Sequence, residues 1–191
     1  MNDVETRLRD VLEPILVQKD PRKALSAYHD MPYALFVYEP KHEFALRREV
    51  RLLETRLVQK GKQIHRISLA ECLEKAMSSQ NPLADWFAIE REQGVQAVVD
   101  TIHAVLSEYT PLPELVAAKM PSDLDPERDV VFILRTGALF PAYRTFSLLE
   151  QLKGRVTAPT VLFYPGDRDG AAGLRFMGVL DAEHNYRPKI F

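Results

Sequence analysis

The chain carries one cysteine, Cys72, in 191 residues, which excludes an internal disulfide and any zinc site built from several thiolates. Cys72 shares a stripe with Leu69, Leu73 and Ala76 and reads as a small packed hydrophobe rather than a reactive thiol. No apolar run approaches the roughly 20 residues that span a bilayer. The opening Met-Asn-Asp-Val-Glu has neither the basic lead nor the apolar centre of a secretion signal. The cytoplasm of a bacterium or archaeon is the expectation. Neither sign of charge dominates: 25 Lys and Arg stand against 27 Asp and Glu, a formal net charge of -2. Phosphate backbones would therefore be met only through a local basic patch.

Signature loops are missing as well. A phosphate loop needs glycines whose amides cradle the anion, followed by Lys and Ser or Thr. Neither Gly61-Lys62 nor Arg135-Thr136-Gly137 supplies this, so there is no Walker A loop. No GxGxxG follows a strand, and neither a GxSxG nucleophile turn nor an HExxH zinc helix occurs. The histidines His29, His42, His65, His103 and His184 are dispersed without ligand spacing and read as surface or locally hydrogen-bonded side chains. No cofactor or metal is expected from these patterns.

What is present is ordinary globular material, 46% hydrophobic and 27% charged, enough for one domain over residues 1–191. Val4, Leu8, Val11, Leu12 and Ile15 give an amphipathic helix, with Asn2 and Glu5 in capping-box spacing and Pro14 as a kink or early stop. Residues 33–39 form an aromatic and β-branched run without strict alternation, which suits a strand covered on both faces. Residues 44–60 put Leu46, Val50, Leu53 and Leu57 on one helical stripe and stop at Gly61, while Glu43, Arg47, Arg51 and Glu54 share another face. A weaker strand over 64–69 leaves Ser68 to cap the next helix. Helical character then runs to Tyr109, broken near residues 78–82, with its clearest stripe at Val95, Val98, Val99, Ile102, Leu106 and Tyr109. A short turn is expected over 115–119, strands over 130–134, 160–163 and about 174–179, and a helix over 141–152. Alternating helices and almost wholly apolar strands predict an α/β fold: a mostly parallel open sheet with helices on both faces.

Such sheets meet ligands and partners at the carboxyl ends of their strands. This directs attention to Glu39, Lys41 and His42, to residues 135–140, and to residues 164–169. Glu39, Asp167 and Asp169 would suit magnesium if they converged, although the Gly and Asp content of residues 165–170 is explained by turn chemistry alone. A basic and aromatic group, Arg135, Tyr143, Arg144, Tyr164, Arg175, Tyr186 and Arg187, has the residue types that carry energy in protein interfaces. With Asp167 these are the candidate partner-binding residues. The same arginines could meet phosphate or single-stranded nucleic acid.

Gly137-Ala138-Leu139-Phe140-Pro141-Ala142-Tyr143-Arg144 with Ser147-Leu148-Leu149, then Val161-Leu162-Phe163-Tyr164-Pro165-Gly166, Leu174-Arg175-Phe176-Met177-Gly178 and Asn185-Tyr186-Arg187, resembles the BrxB family of bacteriophage exclusion (BREX) systems. The resemblance implies a non-catalytic accessory subunit of a phage-defence system. Such systems combine a DNA methyltransferase, a large ATPase and PglZ, a member of the alkaline phosphatase superfamily, and the likeness implies association with PglZ. It supplies no catalytic motif. The competing readings are a divergent metal- or nucleotide-dependent phosphoryl-transfer enzyme using Glu39, Asp167 and Asp169, and direct nucleic-acid binding through Arg135, Arg144 and Arg175.

Overall fold

The computed structural model describes residues 3–26, 32–170, 173–184 and 188–191. The first helix, α1 (Asp3–Arg7), passes through a π-helical turn (Leu8–Leu12) into α2 (Glu13–Leu16). Pro14 has no amide hydrogen to give, and the wider turn before it absorbs the loss, so the helix neither ends nor breaks at the proline. The wide turn also re-spaces the buried stripe to Val4, Leu8, Leu12 and Leu16 and leaves Val11 exposed, contrary to the 3.6-residue reading. Asn2 of the expected capping box lies outside the described residues.

After α3 (Arg22–Leu25), the chain alternates strand and helix: β1 (Tyr33–Tyr38), α4 (Glu43–Gln59), β2 (Gln63–Ser68), α5 (Leu69–Gln80), α6 (Leu83–Gln93), α7 (Val95–Ala104), α8 (Leu112–Ala117), β3 (Asp129–Leu134), α9 (Thr145–Gln151), β4 (Thr160–Asp169), β5 (Gly173–Phe176) and β6 (Lys189–Ile190). The sheet order is β2-β3-β4-β1-β6, all parallel, with β5 antiparallel on the end of β4. Phe36 pairs with Phe163 and Ile133 with Leu162, so β4 lies between β1 and β3.

Every residue of β1 and β3 is buried, because each strand contributes to two cores. Leu35, Val37, Ile133, Leu162 and Tyr164 face α5 to α9, whereas Phe36, Tyr38, Phe132, Phe163 and Leu134 face α1, α2 and α4. Phe163 sits 5.7 Å from Phe36 and 5.3 Å from Phe132, centroid to centroid, the latter edge-on. Helix α4 buries Leu46, Val50, Leu53 and Leu57 on the second core and is stopped at Gly61, φ +84°. Ser68 accepts the Glu71 amide at 3.3 Å and caps α5, as its spacing predicts. Cys72 is fully buried.

Several boundaries differ from the sequence expectation, each for a physical reason. Strand β4 does not end at Phe163: Pro165 still pairs with Tyr38, and the next residues leave the sheet to pair antiparallel with β5. Asp167 and Asp169 therefore belong to a two-stranded ribbon, and the bend falls at Gly170, φ +66°. The final strand stops at Phe176 because Met177 and Gly178 take positive φ. The helix expected over 141–152 begins at Thr145, after a 3-10 turn (Thr136–Leu139), and the turn expected over 115–119 is the second half of a helix, α8, that starts earlier at Leu112. Helix α7, despite its apolar stripe, buries none of its residues, and Tyr109 is exposed. Strand β6 has only two residues, too few to show a period, yet its neighbour Phe191 donates to Leu35 and accepts from Val37 at 2.8 and 3.1 Å.

Polar ties fasten the layers. Buried Glu13 accepts from Arg56 at 2.6 Å and Lys60 at 2.8 Å, pinning α2 to α4. Burial pushes its carboxyl pKa up, but the two cations outweigh this and hold it below the ordinary value near 4.5. Buried Lys62 donates to the carbonyls of Gln18 at 2.5 Å and Glu127 at 2.7 Å, and burial pulls its ammonium down.

Replacing Phe163 by Ala is expected to cost about 3–5 kcal/mol in urea unfolding, from a site closed on both sides by aromatic rings. Glu13→Gln should lose roughly 1–3 kcal/mol at neutral pH. A carboxylate held low contributes its stability above its unfolded pKa and loses it as pH falls through the folded one. The gap between wild type and Glu13→Gln should therefore close on acidification below 4.5, as read by melting at stepped pH.

Candidate functional site

The elements after the strands leave on different faces. Helix α4 follows β1 onto one face, while α5, α9 and the β5 segment follow β2, β3 and β4 onto the other. The adjacent carboxyl ends of β1 and β4 thus diverge, which is where open α/β sheets form a crevice. A cavity of about 410 Å³ lies there, lined among others by Asp3, Arg7, Glu39, His42, Asp167 and Arg168. Arg7 donates to the Val37 carbonyl at 2.7 Å and lies 4.6 Å over the Phe36 ring, so it is part of the wall. Arg168 reaches across to the Ile190 carbonyl at 3.0 Å.

The three carboxylates of the metal reading do not converge. Glu39 and Asp167 line the crevice, but Glu39 is ion-paired with Lys41, which lowers its pKa. Asp169 is turned along the ribbon towards Arg175 at 4.0 Å and His184 at 3.7 Å. Among the described residues, no group of three or more His, Cys, Asp or Glu side chains is placed to hold a metal ion.

The late corners of the chain do meet on one rim. A Cβ on Gly137, in the turn after β3, would stand 3.4 Å from Met177 Sδ and 3.5 Å from Pro165 Cγ, so that turn lies against the ribbon. At Gly166 a Cβ would stand only 2.2 Å from the Arg175 carbonyl oxygen and 2.7 Å from a Tyr164 ring carbon. Glycine is thus required for the two ribbon strands to approach. Arg135, Asp167 and Arg175 are exposed on this rim. Arg144, at the start of α9, points to Glu183 and the Asp181 carbonyl, both at 3.4 Å.

Two aromatic candidates are corrected. Tyr164 is fully buried, because the alternation of β4 turns it inward with Leu162, where it packs 5.5 Å from Phe176. Tyr143 is buried beneath α9, its hydroxyl accepting from Gln151 at 3.3 Å, and burial pushes its phenol pKa up. Both support the rim from below. Tyr186 and Arg187 lie outside the described residues.

One polar chain escaped the sequence reading. The Tyr38 hydroxyl donates to Glu43, and the other carboxyl oxygen of Glu43 lies 3.8 Å from Arg135 Nε. Burial, and then the hydrogen bond to Glu43 and its charge, push the Tyr38 phenol far above its ordinary pKa, which keeps it a donor. Arg135 itself adopts a left-handed backbone, φ +61°. Tyr38 ends β1, Glu43 opens α4 and Arg135 follows β3, so only the fold unites them.

The geometry defines a mostly parallel α/β domain with a charged two-stranded ribbon projecting from its carboxyl rim. The profile of the family described as BREX protein BrxB matches residues 65–190. A BREX protein BrxB of Bacillus cereus (strain H3081.97) is 24% identical over 189 residues, covering 98% of this chain and 96% of the relative. No solved structure matches. The chain belongs to the BrxB family, and is therefore a BREX-associated protein.

Gly166→Ala should lower stability by about 1–3 kcal/mol through overpacking of the ribbon. Urea unfolding measures this, and Gly137→Ala, whose Cβ would meet its nearest neighbours at 3.4 and 3.5 Å, should cost less.

Proposed function

We propose that the chain is a non-catalytic accessory subunit of a BREX phage-defence system, working in the cytoplasm as a protein-binding module that associates with PglZ and helps assemble or regulate the defence complex. Membership of the BrxB family supports the setting. The observation that carries the binding role is the ribbon. Its inner side chains, Tyr164, Leu174 and Phe176, are buried in the core, while Asp167, Arg168 and Arg175 stand outward and Val179 is 73% exposed beside them.

A surface of this kind offers directed charge around an apolar contact without needing to order itself on binding, which lowers the entropic cost of association. The alternating signs of Asp167, Arg168, Asp169 and Arg175 favour a partner of matched polarity over a uniformly charged polymer. Arg144 is already directed to Glu183, which separates it from Arg175 and weakens the case for a continuous nucleic-acid track.

Coexpression with PglZ of the same operon, followed by affinity capture at low salt, tests the reading. The wild type should co-purify. Asp167→Lys combined with Arg175→Glu should weaken the complex by about tenfold or more while the melting temperature is kept. No association at low salt contradicts it.

A further inference from the structure

A second cavity on the carboxyl side, sharing no lining residue with the ribbon, carries three arginines. It lies between α4 and the carboxyl ends of β2 and β3, has a volume of about 410 Å³, and is lined by Arg47, Arg66 and Arg135 with Ser68, Glu71, Val50 and Leu134. The three cations come from three elements: Arg47 from α4, Arg66 from the edge strand β2, and Arg135 from the left-handed position after β3. Among the described residues, none of the three guanidinium groups makes a side-chain hydrogen bond. Arg47 lies 5.7 Å over the exposed Phe44 ring, Arg66 Nε is 3.4 Å from Glu54, and Arg135 Nε is 3.8 Å from Glu43.

The surrounding acids meet this charge only in part. Glu71 is engaged by Lys119 at 2.9 Å. Glu43 is already an acceptor for Tyr38. Glu54 is mostly buried, and burial pushes its carboxyl pKa up against the pull of Arg66 and Arg51. Fork-shaped donors, two of them ion-paired only through Nε and none with a side-chain hydrogen bond among the described residues, gather around one concavity in a chain of net charge -2 and match a planar or tetrahedral oxyanion. The first turn of α5, a helix of 12 residues, opens on the same space through Ser68 and Glu71 and adds partial positive charge. Buried Val50 and Leu134 give the cavity an apolar wall. Its size is at the lower end of small-molecule sites, about 300–1,000 Å³.

We propose that this cavity is a binding site for a phosphate monoester, held by Arg47, Arg66 and Arg135. The group is supplied either by a free nucleotide or by the phosphorylated end of a nucleic-acid strand. The site is separate from the ribbon proposed to bind PglZ, and the two can fail independently.

Titration calorimetry on the full chain at low salt tests it with three probes: adenosine monophosphate, a short single-stranded oligonucleotide with a 5′-phosphate, and the same oligonucleotide with a 5′-hydroxyl. The nucleotide or the 5′-phosphorylated strand should bind, and Arg47→Gln with Arg66→Gln should weaken that binding by about tenfold to a hundredfold. The single variants, each a replacement of a half-buried or exposed side chain, stand in if the pair fails to fold. Binding of the nucleotide assigns the free source, and binding of the phosphorylated strand alone assigns the strand end. No binding of either phosphate probe, binding unchanged in the variants, or equal binding of the 5′-hydroxyl strand overturns the proposal.

Discussion

Strand β4 is flanked on both edges by parallel strands and covered on both faces by apolar side chains, and this central position fixes what the rest of the chain can do. Phe163 between Phe36 and Phe132 joins β1, β3 and β4 on the α4 side, and Leu162 joins the same strands on the α5 side. With the middle of the strand so held, residues 166–169 are carried past the sheet as a direct extension of the core. The ribbon is thereby anchored to the core through Tyr164, Leu174 and Phe176.

The same order creates the two concave regions of the carboxyl side. Between β1 and β4 the following elements part to opposite faces, leaving the crevice walled by Arg7 and closed by Arg168. Over β2 and β3 the chain leaves on the α5 side, so the α4 side of their ends stays open and gathers Arg47, Arg66 and Arg135. Glu43 stands between these regions, receiving Tyr38 on one oxygen and facing Arg135 with the other. A carboxylate in that place orients the arginine while leaving its other N–H groups available.

The fold class was legible because the strands are apolar throughout and the helices carry stripes of the right period. Strand β1 and helix α4 came out within a residue or two, as did the Ser68 cap, since each depends on local chemistry. Errors arose where a distant partner decides. Nothing near Phe163 announces that β4 continues, because its continuation is set by β5. The inward turn of Tyr164 follows from that continuation. The tilt of the first helix stripe depended on a wide turn ahead of Pro14 that a regular helical period cannot represent. At the rim, Arg135 and Asp167 were singled out by their place after the expected strands, and Arg175 by its residue type. Tyr38, Glu43, Arg47 and Arg66 were not, since the strand order that unites them has no signature in the residues themselves.

The most direct measurement of the central claim is amide hydrogen exchange on the full chain, alone and mixed with PglZ. Docking through the ribbon predicts slowed exchange in residues 166–178 with the exposed helix α7 unchanged. Slowing confined to the α6 and α7 region, with the ribbon exchanging as in the free protein, would contradict it.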